Sequence, residues 1–98
     1  MQTKTFLPAL LAALLLAVPA AAQCYADFRV RDNSWDVRFG VSRVPNAACG
    51  NTNAAFNHLE PRVERDGWKL LDVLSTFGPE GLETRRADAE ANQLFLRY

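Results

Sequence analysis

The stretch Gly67-Trp68-Lys69-Leu70-Leu71-Asp72-Val73-Leu74-Ser75-Thr76-Phe77-Gly78-Pro79 decides the fold, and it fits two templates. As a helix, Leu70, Val73, Leu74 and Phe77 form an apolar stripe, with Gly78 as the C-terminal cap and Pro79 as the stop. As a strand, Leu71, Val73 and Phe77 face one way and Trp68, Leu70 and Leu74 the other, the pattern of near-complete burial. Composition leans helical, because only Val73 and Thr76 are β-branched. Gly67 leans the other way: within a continuous helix it costs about 1 kcal/mol relative to Ala, whereas between two elements it is a natural break. Periodicity alone leaves both readings open.

Upstream of this stretch the pattern is clearer. Phe56, Leu59 and Val63 fall at helical spacing, and Thr52 or Asn53 can cap the helix by offering a side-chain oxygen to its free amides. Pro61 deletes one helical hydrogen bond, which predicts a kink or a restart with Pro61 as first residue. Further upstream, Ala26, Phe28 and Val30 alternate with Tyr25, Asp27, Arg29 and Arg31, the period of a half-buried strand. Asp32-Asn33-Ser34 interrupts with turn residues, and the alternation resumes with Trp35, Val37, Phe39 and Val41. This predicts a hairpin or one bent strand, followed by a loop from Pro45 to Asn53 that contains Cys49. Downstream, Gly78 to Asn92 is polar and turn-rich, and Gln93-Leu94-Phe95-Leu96-Arg97-Tyr98 reads as a terminal strand.

The first residues, Met1 to Thr5 with Lys4 as their one charge, are followed by an apolar run from Phe6 to Val18 and by Pro19-Ala20-Ala21-Ala22 before Gln23, the three parts of a signal peptide. The run is about 13 residues, short of the roughly 20 that span a bilayer as a helix. Residues 1–22 are therefore expected to be removed, leaving one small domain over 23–98 without a stable membrane span, in the periplasm or secreted. Export allows Cys24 and Cys49 to form a disulfide, which in the chain-entropy account stabilises by about 3 kcal/mol. That is a large share of the stability of so small a core.

Basic and acidic residues number 11 each, and Lys4 lies in the leader, so 11 − 1 = 10 basic residues stand against 11 acidic ones after it. The two signs are interleaved, which excludes the clustered basic footprint of a nucleic-acid binder and the basic face of a membrane-surface helix.

The segment Leu59-Glu60-Pro61-Arg62-Val63-Glu64-Arg65-Asp66-Gly67-Trp68-Lys69-Leu70-Leu71-Asp72-Val73 resembles the small bacterial family called domain of unknown function 4177. The resemblance implies a strand, helix, strand, strand order, a helix ending in an acidic residue, Gly and Trp, and a closing hairpin strand at Leu94 to Tyr98. It therefore favours the strand reading of Trp68 to Phe77, and it brings no catalytic residue. The chain is also similar in plan to small periplasmic stress and biofilm proteins of enteric bacteria.

Chemistry-bearing residues are sparse. His58 is the only histidine, with no Cys-x-x-Cys or Gly-x-Ser-x-Gly near it, so a solvated helix position is expected. A hydrolase would have to combine His58 with a carboxylate such as Glu60. Glu80 and Glu83 read as solvated carboxylates, and Arg85-Arg86 as exposed loop charges or an anion-binding fork. Trp35 and Trp68 lie on apolar faces and are expected in the core, although either could anchor a partner. The loop carrying Glu80, Leu82, Arg85 and Arg86 is the candidate contact surface, since function concentrates in loops on a rigid scaffold.

The sequence thus predicts an α+β domain: a small antiparallel sheet of three to four strands, one helix packed on one face, and a single Cys24–Cys49 disulfide. The expected function is a binding or accessory module that contacts a protein or envelope component, with no catalytic residue, metal or cofactor. Self-association through an exposed edge strand, the C-terminal one in particular, is the alternative.

Overall fold

The computed structural model describes residues 23–98; the expected signal peptide lies outside them. Three antiparallel strands, β1 (Cys24–Arg31), β2 (Val37–Val44) and β3 (Lys69–Phe77), form one sheet in the order β2-β1-β3. Helix α1 (Thr52–Arg65) joins β2 to β3, and helix α2 (Glu83–Ala91) follows β3. Single 3-10 turns at Asn46–Ala48 and Pro79–Gly81 precede the two helices. The α+β class, the three-stranded antiparallel sheet and the disulfide match expectation, and Cys24 and Cys49 are bonded with their Cα atoms 5.8 Å apart.

The stretch from Lys69 to Phe77 is a strand because Gly67 ends α1 before it. Gly67 has φ +78°, its N–H donates to Glu64 O, and the Trp68 N–H donates to Val63 O. These two bonds close the helix in a left-handed cap that only glycine enters without strain. Near-complete burial of β3 does not hold. Phe28 pairs with Val73 and Asp27 with Ser75, so Leu74 is bulged out of the ladder; Leu71 is bulged in the same way between the Arg29–Asp72 and Val30–Leu70 pairs. Leu74 is accordingly exposed.

The two alternating rows of the hairpin face opposite sides of the sheet. Ala26, Phe28 and Val30 meet Ala55, Leu59 and Val63 of α1 in the main core, where each fully buried Phe, Leu or Val contributes about 1.5–3 kcal/mol. Val41 instead joins Tyr25 and Ala89 in a second cluster, with Phe39, Phe77, Leu82 and Phe95 packed around it. The second face therefore has its own helix, α2, where the sequence predicted loop. Only Ala89 of that helix is buried, so it carries no apolar stripe to betray it.

Three local expectations change. Asn51, not Thr52 or Asn53, caps α1, its side chain accepting from the Ala54 N–H at 3.0 Å. Pro61 neither kinks α1 into two elements nor restarts it; the helix is one element from Thr52 to Arg65, with Pro61 and Asn57 both on its exposed side, where water can replace the missing bond. The C-terminal segment is not a strand. Gln93 and Leu96 have φ +62° and +57°, so only Phe95 bridges Val41, with the Val41 N–H donating to Leu94 O and the Leu96 N–H to Val41 O.

Candidate functional site

The β1–β2 connection is built around one buried carboxylate. Asp32, 8% exposed, accepts from the Ser34 N–H at 2.8 Å and the Asp36 N–H at 3.0 Å on one oxygen, and from Arg38 Nε at 2.7 Å on the other. Those bonds, the Arg38 one foremost, hold its carboxyl below the usual range. The Trp35 N–H donates to Asp32 O at 3.0 Å, closing a turn over residues 32–35.

Trp35 emerges from that turn with φ +69° and 75% of its surface exposed. Left-handed backbone at a bulky residue costs on the order of 1–3 kcal/mol and persists only where the surrounding structure imposes it. The core expectation for Trp35 is overturned: its place in the alternation belongs to the turn, and β2 begins two residues later at Val37, itself 52% exposed. Trp68 does pack against the main core, as expected, with its ring half-buried.

Between the two indoles lies an open groove of about 360 Å³, lined by Arg31, Asp32, Asn33, Trp35, Gly67, Trp68 and Lys69. Its walls are fixed from behind. Arg38, tied to Asp32, lies 4.8 Å from the Trp68 ring centre and also donates to Asn92 O. Arg97 lies 5.5 Å from the same ring and pairs with Asp66 at 3.1 Å. The Tyr98 hydroxyl donates to Asp66 at 2.6 Å, a bond that, followed by Arg97, holds the Asp66 carboxyl down. Burial, then the Asp66 carboxylate, pushes the Tyr98 phenol up. At the front, Arg31 lies 5.3 Å from the Trp35 ring centre.

The sequence-nominated contact residues are distributed differently. Glu80 is exposed. Leu82 packs into the second cluster. Arg85 donates to Asp27 at 2.9 Å and to Gly81 O at 2.8 Å, with its guanidinium 3.9 Å from the Phe77 ring centre. Arg86 pairs with Glu83 and Glu90 and lies over Phe95. Arg85 and Arg86 thus do not form an anion fork, because each already has its carboxylate. Arg85 clamps α2 to the sheet, while the ion pairs of Arg86 stay within α2.

His58 borders a second open groove of about 350 Å³ with Arg43, Val44, Pro45, Asn46 and Tyr98. Burial and then Arg62 lower its pKa, and Glu60 is not among the groups that perturb it. Among the described residues no set of three His, Cys, Asp or Glu side chains is placed to hold a metal ion, and no helix is long and apolar enough to cross a membrane. Comparison with protein-family models, curated proteins and solved structures gives no match.

Proposed function

We propose that this chain is an exported, non-catalytic binding module that takes hold of a protein or envelope component at the Trp35–Trp68 groove. The observation that carries the reading is Trp35: a large apolar ring three-quarters exposed, on backbone that disfavours it, held in place by the Asp32 bonds behind it. A residue that strains the chain while burying only about a quarter of its surface is explained by what it contacts outside the fold, and tryptophan is prominent among the residues that dominate binding energy.

Two features support placing the module outside the cytosol. The leader-like segment over 1–22 is one, and the Cys24–Cys49 bond, which an oxidising compartment preserves, is the other. The Gly67–Trp68 turn that ends α1 builds one wall of the groove. Edge-to-edge self-association is the weaker reading. The C-terminal segment is spent on Val41, and the β3 edge carries two bulges, a device that blunts strand addition.

Affinity capture from envelope extract with the mature domain tests this proposal when run beside Trp35→Gly. A component retained by the native chain and lost from a folded Trp35→Gly variant is the expected result. Equal retention by both, or none by either, would sink the reading.

A further inference from the structure

On the second face of the sheet, successive rungs between β1 and β3 pair Asp27 with Ser75, Arg29 with Asp72, and Arg31 with Lys69. The first two are internally neutralised. Asp27 accepts from Ser75 at 2.7 Å and from Arg85 at 2.9 Å, and Arg29 makes a two-pronged pair with Asp72. The third sets two cations opposite each other, and neither has a carboxylate within ion-pair distance among the described residues. Like charges directly opposite on neighbouring strands destabilise a sheet. The Trp35 ring face attracts the Arg31 guanidinium through its quadrupole but supplies no counter-charge. This rung stands at the lip of the groove, and both its side chains line it.

We infer that the Arg31–Lys69 rung is an anion subsite and that the groove takes a short acidic peptide segment of a partner protein. The inference rests on the groove being the binding site and adds the chemistry of its occupant. A carboxylate between the guanidinium and the ammonium supplies the charge that Asp72 and Asp27 supply on the neighbouring rungs. An adjacent apolar side chain lies on the Trp35 ring, and the Asn33 amide, which also lines the groove, meets the peptide backbone. The groove is open between two turns, which lets a chain enter and leave, and an extended peptide presents carboxylate, apolar group and amide within a few residues of one another.

The chain's only two tryptophans both line the groove, so intrinsic fluorescence reports occupancy directly. The probes are a blocked six-residue peptide with a central Glu-Leu-Glu and its Gln-Leu-Gln counterpart, titrated against the signal-free protein with its disulfide intact. The acidic peptide should give a saturable change, the amide peptide should bind about tenfold or more weakly, and added salt should weaken only the acidic one. Lys69→Glu should abolish binding of the acidic peptide and, without any ligand, raise the melting temperature by a few degrees. Equal binding of both peptides would overturn the anion subsite while leaving a Trp35-dependent binding module standing. Trp35-dependent binding to vesicles containing anionic phospholipid, with no response to either peptide, would overturn the peptide assignment in favour of a membrane surface. A lowered melting temperature in Lys69→Glu would show that the rung lacks no charge and would overturn the inference independently of any ligand.

Discussion

The two ends of the second sheet face are made from the same kinds of residue and finished differently. Near Tyr25 and Phe77, helix α2 covers the sheet, and Arg85 carries a matching charge onto Asp27 while stacking on Phe77. Near Trp35 and Val37 no element among the described residues covers the strands, and Arg31 faces Lys69. The covered end thus shows what a completed version of this face requires, an apolar cap and a neutralising partner for each charge. The open end lacks both, which is the physical content of calling it a site.

The comparison can be broken most severely at the covered end. Asp27→Ala leaves the half-buried Arg85 guanidinium and the Ser75 hydroxyl without their acceptor, and should cost about 3 kcal/mol, read from urea denaturation. Ala89→Leu overpacks the fully buried contact between α2 and the sheet and should cost about 2 kcal/mol in the same measurement. At the open end the expected changes are smaller or of opposite sign. Trp35→Gly should be more stable than Trp35→Ala by about 1 kcal/mol, because glycine enters the left-handed region freely; equal stabilities would remove the argument from backbone strain. Val37→Thr should stay within about 0.5 kcal/mol of the native chain, since the side chain is half exposed and the swap adds no charge opposite Arg31.

Acid titration sharpens the same contrast. Asp32, at the open end, and Asp72, on the rung beside it, have carboxyls held below their ordinary value, first of all by the hydrogen bonds from Arg38 and Arg29. A depressed folded-state pKa adds stability above the unfolded value of about 3.9, and that contribution drains away as pH falls through the folded value. The hairpin turn should therefore loosen below about pH 4, visible as loss of the Ser34 and Asp36 amide protection before the amides of β1 exchange. Simultaneous loss would mean that Asp32 does not set the turn.

Much of this architecture was legible in the residues. The hairpin and α1 announce themselves because one face of each is apolar at its own period. Of the residues themselves, only Gly67 announced the strand at Lys69 to Phe77, since two bulges blur its alternation. Helix α2 was hidden because it buries one alanine and is anchored by an arginine, a pattern that periodicity does not score. The terminal strand was overread: Leu94 and Leu96 alternate correctly, but left-handed backbone at Gln93 and Leu96 lets only one residue pair. Trp35 misled for a related reason. It keeps the apolar phase of β2 while standing in the turn, and the signal that could have placed it was the single residue between Asp32-Asn33-Ser34 and Asp36, where a hairpin commonly turns left-handed.

The segment that passes Val41 has a consequence for how the molecule comes apart. Leu94 is fully buried in the α1-side cluster, its Cβ 2.9 Å from where a side chain at Gly40 would begin, while the next residue, Phe95, packs on the α2 side. One peptide unit therefore stitches both hydrophobic layers to the same edge. Melting either layer strains the half-buried Phe95 or the buried Leu94 held in the other, so calorimetry should find one cooperative transition where two separate clusters would otherwise allow two.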